Sequence, residues 1–180
     1  MITIKGAELI ELPLFSDERG SFGRLFDDRS FKSIDNSNFK TIVNINRSVN
    51  KVKGTVRGLH MQSDPFSEGK IIMCVKGEII DLFIDTRKDS ATYKSINMVR
   101  LNANSRESLL VPRGCLHGFL TLVDDTEVIY ATDNYYEPNS EVNVNPYSEE
   151  LVDYWGKNSI YICSDKDKAS QSLTQFFSVN

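Results

Sequence analysis

Short apolar runs alternate with turn residues along most of this 180-residue chain. The clearest run is Glu78–Asp85, in which Ile80, Leu82 and Ile84 share one face. A period of two residues predicts a β-strand, and Lys76-Gly77 just before it is predicted as a hairpin turn. Further strands are predicted at Met1–Ile4, Ala7–Pro13, Phe39–Ile45, Lys70–Val75, Tyr93–Leu101, Ser108–Val111, Gly118–Leu122 and Glu127–Thr132.

Helix signals are weak and lie towards the ends of the chain. Ser30–Ile34 is predicted as a helical turn, and Ser164 followed by Asp167 has the spacing of a capping box, which leaves a short helix or a loop open for the tail. Many strands with few helices indicate an all-β sandwich or barrel. No repeat or linker divides residues 1–180, so one domain is expected. A jelly roll with a strand-exchanged dimer would protect the edge strands of such a fold.

Composition excludes several classes of protein. Apolar residues make up 40% of the chain and charged residues 26%, which is too apolar for a fully disordered protein. The net charge of −4 argues against a nucleic-acid binder, which needs a dense cationic face. No run approaches the roughly 20 apolar residues of a membrane-spanning helix, so we expect no membrane partner.

The first residues and the cysteines indicate a cytoplasmic protein. Charged residues interrupt the apolar start, so a signal-peptide core is not expected there. The three cysteines are far apart and form no C-x-x-C pair, which favours reduced, buried thiols.

The two histidines lie in segments that suggest a functional site. His60 follows Arg57 and Gly58, and His117 follows a turn that contains Pro112 and Gly114. Histidine titrates nearest to neutral pH and therefore suits proton abstraction. A metal-dependent cupin is an alternative, because Pro-x-Gly-x-x-His resembles the second metal-binding motif of cupins. The first motif has no counterpart around His60, so no metal is expected.

Tyrosines and single cations supply further candidates. Tyr130 and Tyr136 fall in one aromatic cluster, where a phenol can donate a proton or a ring can stack on a base. Arg57 and Lys70 flank the predicted His60 loop and are favoured over the other isolated cations. Those others are Arg19, Arg24 and Lys166.

Together, these segments resemble the dTDP-4-dehydrorhamnose 3,5-epimerase family. The resemblance rests on Arg57-Gly-Leu-His60 combined with Pro112-x-Gly-x-x-His-Gly-Phe119, and it extends over nearly the whole chain. Supporting segments are Asp17-Glu-Arg-Gly-Ser-Phe22, Lys70, Gly77-Glu78, Asp85-Thr-Arg87, Glu127-Val-Ile-Tyr130, Tyr135-Tyr-Glu-Pro138 and Ser164-Asp-Lys-Asp167. It implies a cupin-type jelly roll, a homodimer and a nucleotide-sugar substrate.

The resemblance also implies roles for individual residues. His60 would remove the proton beside a C4 ketone, Asp167 would hold its tautomer, and Tyr130 would return a proton from the opposite face. Lys70, with His117 nearby, would stabilise the enolate, and this chemistry requires no cofactor. Substrate contacts would come from Arg19, Arg24, Asn44, Asn46, Arg57, Tyr136, Glu141 and Lys166.

Three departures from the family pattern leave the substrate open. Arg24 stands where these enzymes usually have Glu, Asn44 replaces a usual Gln, and Val144-Asn-Pro146 replaces a Trp-Asp-Asp-Pro-like stretch. The expected substrate is dTDP-4-dehydro-6-deoxyglucose, inverted at C3, C5 or both, for deoxysugar and surface polysaccharide biosynthesis. Alternatives are a mono-epimerase of a CDP-linked or other 4-keto sugar and a non-catalytic jelly roll that binds a nucleotide sugar.

Overall fold

The structure is a computed structural model that describes residues 1–32, 38–156, 159–160 and 162–179. Its strands are β1 (Glu8–Glu11), β2 (Leu14–Asp17), β3 (Gly20–Gly23), β4 (Asn44–Asn50), β5 (Val56–Gln62), β6 (Lys70–Lys76), β7 (Glu78–Asp85), β8 (Ile96–Asn102), β9 (Glu107–Val111), β10 (Cys115–Thr121), β11 (Thr126–Thr132) and β12 (Glu141–Asn143). Its helices are α1 (Asp28–Lys32), α2 (Val152–Trp155), α3 (Asp165–Lys168) and α4 (Leu173–Val179), with 3₁₀ turns at Pro138–Ser140 and Glu149–Leu151.

Most strands belong to two antiparallel sheets of five strands. The order of the first sheet is β1-β9-β6-β11-β4, and that of the second is β12-β5-β10-β7-β8. Strands β2 and β3 form a separate hairpin. This architecture confirms the predicted all-β class with short peripheral helices.

Apolar side chains fill the space between the sheets at one end of the molecule. The first sheet contributes Ile72 and Leu109, and the second contributes Phe83 and Leu101, all of them fully buried. Because side chains alternate along a strand, the neighbours of these residues point outwards. Both outer faces are also covered, which explains why Lys70–Val75 is a nearly continuous apolar run.

Different parts of the chain cover the two outer faces. Phe31 of α1 packs on the outer face of the first sheet, against Ile71 and Leu110. Trp155 and Phe176, from α2 and α4, belong to the cluster on the outer face of the second sheet. The C-terminal helices therefore dock against the second sheet, which brings the end of the chain close to β5.

The predicted turn at Lys76-Gly77 forms, but it does not make a hairpin. It connects β6 of the first sheet to β7 of the second, and these strands pair with other partners. Gly77 has φ +80°, and a Cβ there would lie 2.4 Å from Thr126 Oγ1. Local alternation identifies two strands, whereas their pairing depends on residues far away in the chain.

Several predicted boundaries differ from the structure. Met1–Ile4 is not a strand, because the amides of Thr3 and Ile4 donate to Asn97 Oδ1 instead. The strand predicted at Phe39–Ile45 begins only at Asn44, and the one predicted to begin at Tyr93 begins at Ile96. The predicted turn at Ser30–Ile34 overlaps α1, and residues 33–34 lie outside the described residues. The short β2, β3 and β12 were not predicted.

The predicted His60 loop is in fact a strand, β5. Gly58 breaks its alternation, because the register against β10 pairs His60 with His117 but Arg57 with Phe119. Three steps on β5 thus oppose two on β10, which is the definition of a bulge. Gly58 has φ +110°, and a Cβ there would lie 2.7 Å from Gly118 Cα. The bulge places Arg57 and His60 on the same face, although residues three apart in a regular strand face opposite ways.

Candidate active site

A cavity of about 840 Å³ opens between the sheets, beyond the apolar end of their interface. Strands β4, β6 and β11 line it from the first sheet, β5, β10 and β12 line it from the second, and α3 contributes to its wall. This volume lies within the range of pockets for small organic ligands. The members of the candidate set that line it are Asn44, Asn46, Arg57, His60, Lys70, His117, Tyr130, Tyr136, Glu141, Lys166 and Asp167.

His60 is paired with a buried carboxylate. Its Nε2 lies 2.6 Å from Asp167 Oδ1, and the Asp167 side chain is only 6% exposed. Burial alone would raise the pKa of Asp167, but hydrogen bonds from His60, the Ser164 hydroxyl and the Gly58 amide hold it below its usual value. An ionised carboxylate accepts the Nε2 proton, so neutral His60 keeps an unprotonated Nδ1.

The C-terminal segment carries Asp167 to His60 across 107 positions of sequence. The Val56 amide donates to the Ile162 carbonyl oxygen and the Ile162 amide donates to the Gly54 carbonyl oxygen, so Ile162 lies alongside the start of β5. Ser164 then caps α3, with its hydroxyl 3.0 Å from the Asp167 amide. The predicted capping residue is confirmed, and the tail here is a short helix.

His117 has a second buried carboxylate as its partner. It lies opposite His60 in the β5–β10 register, and its Nε2 is 2.9 Å from Asp81 Oδ2. Burial raises the pKa of Asp81, and His117 and Lys70 oppose the rise. The other Asp81 oxygen, Oδ1, is buried and has no hydrogen-bond partner among the described residues.

The first sheet presents Tyr130 and Lys70 to the cavity. On β11, Tyr130 pairs with Asn46 of β4 on one side and with Ile72 of β6 on the other. Two residues further along β11, Thr132 pairs with Asn44 and Lys70. Burial raises the pKa of Tyr130, with a further contribution from the charge of Glu68, against the opposing effect of Arg57. The phenol therefore stays protonated at neutral pH. Tyr130 and His60 come from opposite sheets and line the same cavity.

Lys70 is a buried cation, with its side chain 9% exposed. Its Nζ donates to the His60 carbonyl oxygen at 3.2 Å and lies 3.3 Å from Glu68 Oε1. Arg57 also lines the cavity, and its Nε donates to Asn50 Oδ1 at 2.8 Å. Lys70 and Arg57 thus supply two cationic groups to the cavity wall beside a histidine and a tyrosine.

Three polar side chains form a cluster at the edge of β12. Tyr136 Oη donates to Glu141 Oε2 at 2.7 Å, and Lys166 Nζ lies 2.7 Å from both Glu141 oxygens. The hydrogen bond to Glu141 raises the pKa of Tyr136. Tyr136 is 61% exposed, so its ring is accessible to a ligand.

Two candidates do not line the cavity. Arg19 lies at the tip of the β2–β3 hairpin and pairs with Asp17 at 2.6 Å, and Arg24 pairs with Asp27 at 2.5 Å just after the hairpin. Both arginine side chains are more than half exposed. Within one chain, the structure does not bring them to the other candidates.

Four residues that hold the site in place escaped the sequence analysis: Asn50, Gln62, Glu68 and Asp81. Asp81 lies within the alternating run Glu78–Asp85, where nothing local indicates that its side chain is buried against a histidine. Glu68 precedes Lys70 by two residues, and this proximity was the available signal.

No group of three or more His, Cys, Asp or Glu side chains that could hold a metal ion occurs in the described ranges. No helix in the part of the chain covered by the structure is long and apolar enough to span a bilayer.

Comparison with solved structures defines the class of protein. A dTDP-4-dehydrorhamnose 3,5-epimerase from Bacillus anthracis, with TDP and pyrophosphate bound, is 36% identical and superposes with a TM-score of 0.84 over 93% of this chain and 94% of that one. A 3'-monoepimerase from Streptomyces bikiniensis, in complex with dTDP-quinovose, is 27% identical with a TM-score of 0.89 over 99% and 89%. The chain has the cupin-type fold of these isomerases, as the resemblance predicted.

Sequence comparison defines the family. The model of the dTDP-4-dehydrorhamnose 3,5-epimerase family matches residues 1–175. The Salmonella typhimurium enzyme of that name is 35% identical over 179 residues, which cover 97% of each chain. The chain belongs to the dTDP-4-dehydrorhamnose 3,5-epimerase family, and the predicted family is confirmed.

Proposed function

We propose that this chain epimerises a nucleotide-linked 4-keto-6-deoxyhexose, with dTDP-4-dehydro-6-deoxyglucose as the expected substrate. One observation carries the proposal: His60 of one sheet, paired with Asp167 of α3, lines a cavity that Tyr130 lines from the other sheet. Inversion at carbon requires proton removal on one face and delivery on the other. The single 180-residue domain would serve deoxysugar and surface polysaccharide biosynthesis.

The proposed reaction begins with abstraction of the C3 proton by His60 Nδ1. The electron pair of the C–H bond moves into the ring as the C4 carbonyl becomes an enolate, and a Lys70 N–H stabilises its oxygen. Tyr130 then donates its phenolic proton to the other face of C3, which restores the ketone. Proton exchange with water resets both groups, and the same sequence at C5 would invert that centre. A fixed donor at such an oxyanion contributes about 10²–10³-fold to the rate.

Arg57 and Lys166 are suited to the diphosphate, and Tyr136 to stacking on the base. Asn44 and Asn46 supply amides along the β4 edge, and Glu141 lies beside Lys166. His117, held by Asp81, adds a second imidazole near Lys70. The diphosphate would compete with Glu141 for the Lys166 ammonium.

Deuterium exchange tests this function. Incubation with dTDP-4-dehydro-6-deoxyglucose in D₂O should load deuterium at C3, C5 or both, and parallel reactions with CDP- and GDP-linked 4-keto sugars test the base. His60→Asn should stop exchange. Tyr130→Phe should allow exchange with retention of configuration, since only one face keeps a proton-transfer group. Tyr93→Phe, which changes a tyrosine outside the cavity, is the control. Binding without exchange for every sugar would instead favour the non-catalytic module.

The number of centres inverted is a second question for the same experiment. The likeness to a 3'-monoepimerase makes inversion at C3 alone a specific candidate. Deuterium at C3 without C5 would identify this branch, and label at both positions would identify the 3,5-epimerase.

We further propose a cytoplasmic homodimer. Every residue of β2, and every residue of β3 but Gly23, is exposed, with Phe15 67% and Phe22 77% exposed as register partners on the hairpin. A two-stranded hairpin is marginal by itself in water. Among the described residues, β4 lies at the edge of its sheet and pairs only with β11, with Ile45 69% exposed, and such an edge favours strand addition. Packing the hairpin on a second copy would also place Arg19 and Arg24 near that copy's cavity.

The three buried free cysteines support a reducing compartment.

A further inference from the structure

Glu68 is an acidic side chain in the wall of a cavity that would bind an anionic substrate. It lies two residues before β6, its side chain is 11% exposed, and it contributes to the cavity lining. Burying a carboxylate is costly unless partners compensate. Its partners are Lys70, at 3.3 Å from Oε1, and Gln62, whose Nε2 donates to Oε2 at 2.8 Å.

The contacts of Glu68 restrict the ammonium group of Lys70. An ammonium has three N–H donors on a flexible stem. The His60 carbonyl oxygen takes one at 3.2 Å, and the Glu68 carboxylate attracts the group from a second direction. Two fixed acceptors on the wall leave one N–H for an oxygen in the cavity.

Glu68 is itself held rigidly. The Oε1 of Gln62 accepts from the Glu137 amide at 2.6 Å, and its two Nε2 hydrogens are shared among Glu68 Oε2 and the Phe66 and Tyr135 carbonyl oxygens. The amide of Gly69 donates to Asp133 Oδ1 at 2.7 Å. The approach to Lys70 is therefore anchored on both sides of Glu68, as a preorganised site requires.

We propose that Glu68 is a positioning residue, which fixes the direction in which the Lys70 ammonium meets the carbonyl-derived oxygen of the substrate. This inference rests on the proposed epimerase function. It assigns Glu68 no proton transfer: the carboxylate acts through Lys70. The charge of Glu68 also contributes to the raised pKa of Tyr130 and so favours the protonated donor.

The test is a double-mutant cycle of Glu68→Gln and Lys70→Met, read as the rate of deuterium exchange. Glu68→Gln keeps an oxygen acceptor for Gln62, so its melting temperature should match the wild type. Its kcat should fall by about 10- to 100-fold, the range expected for a misplaced catalytic group. In the Lys70→Met background, the same change should alter kcat by less than about twofold, because there is no ammonium left to position.

Two further measurements keep the outcome decisive. The Kd for dTDP, which has no ketone, should be equal in wild type and Glu68→Gln. Glu78→Gln, which removes a carboxylate paired with Arg100 on the surface, should leave kcat unchanged. The exchange rate of Lys70→Met could fall below the detection limit. In that case, a lower kcat in Glu68→Gln with unchanged dTDP affinity and melting temperature supports the positioning role of Glu68.

Contrary results are equally clear. A wild-type kcat in Glu68→Gln overturns the inference. It is also overturned if Glu68→Gln lowers kcat by the same factor in the wild-type and Lys70→Met backgrounds. Wild-type protein without any exchange would refute the proposed epimerase function instead, so the two failures are distinguishable.

Discussion

The partner of each imidazole determines which of its nitrogens is free for chemistry. Asp167 accepts from His60 Nε2, which directs the free lone pair of the neutral ring to Nδ1. In the same way Asp81 fixes the ring of His117. The two carboxylates therefore determine which nitrogen each histidine can offer to a ligand.

Asp167→Asn should lower kcat for exchange by about 10²- to 10⁴-fold, because the amide no longer enforces one tautomer or stabilises imidazolium. The Kd for dTDP should stay within about twofold. Asp165→Asn, on the same helix but outside the cavity lining, is the matched control. Full exchange activity in Asp167→Asn would contradict the assigned role.

Residue types with motif spacing could be identified from sequence, and the resemblance implied Asp167 as the partner of His60, but the partners of Lys70 and His117 could not be identified. His60, His117 and Tyr130 belong to runs that resemble the family. The contacts of Glu68 with Lys70 and of Asp81 with His117 are known only from the folded structure. Asp81 and His117 are 36 positions apart in the sequence.

At the scale of elements, a single capping residue links the stability of α3 to the site. Ser164 caps the helix and also hydrogen-bonds the Asp167 carboxylate. A weakened first turn would therefore displace the partner of His60. The sequence predicted this cap because capping is a local interaction.

Ser164→Ala should lower the free energy of unfolding by about 1 kcal/mol, the usual cost of an N-cap. It should also reduce kcat by about tenfold, as expected for a shifted catalytic partner. Ser172→Ala is the control, because Ser172 and Gln175 form a reciprocal cap at α4 away from the cavity. Denaturant titration should give similar losses for both variants, with kcat reduced only in Ser164→Ala. If Ser164→Ala and Ser172→Ala have equal kcat values, the Ser164 cap does not affect the active site.

Strands with unbroken alternation, such as β7, could be predicted, whereas β5 could not. Gly58 interrupts its pattern, and the bulge that results is what gathers Arg57 and His60 on one face. A glycine inside a strand pattern is a recognised sign of a bulge. Its register nevertheless depends on β10, which lies almost sixty residues away.

At the scale of the whole molecule, a buried carboxylate at the end of β7 links stability to acid. Asp85 is fully buried and accepts hydrogen bonds from Arg87, Ser90 and Thr92. Burial alone would raise its pKa, but these bonds lower it from 3.8 to about 2. The ionised form is therefore favoured in the folded state.

The contribution of Asp85 should be complete above about pH 4 and lost as the pH falls to about 2, since the unfolded chain takes up the proton first. The difference corresponds to about 2–3 kcal/mol. Urea unfolding from pH 5 to pH 2 should show this decline in wild type. Asp85→Asn should be less stable at pH 5 and show a shallower decline. Parallel curves for the two proteins would rule out this carboxylate as the cause.

The exposed hairpin predicts the assembly. Phe15→Asp with Phe22→Asp should weaken the dimer by at least about tenfold in Kd, because burying one such ring is worth about 1.5–3 kcal/mol. Light scattering over a dilution series measures the change, with Met98→Asp on the opposite sheet as the control. An unchanged mass, whether monomer or dimer, would exclude the hairpin as the contact.

Local unfolding of the C-terminal segment would affect the active site, because this segment carries Asp167. All the strands of the two sheets lie before residue 145 in the sequence. Asp167, whose carboxylate pairs with His60, belongs instead to the C-terminal segment that contacts Val56. Fraying of that tail would leave the two sheets and His60 in place but would remove Asp167, the partner that orients the base, and Lys166, the proposed diphosphate contact. Catalytic competence therefore depends on a short segment outside the two sheets, and protection of the amides of residues 162–168 against hydrogen exchange should decline in step with turnover under mild denaturant.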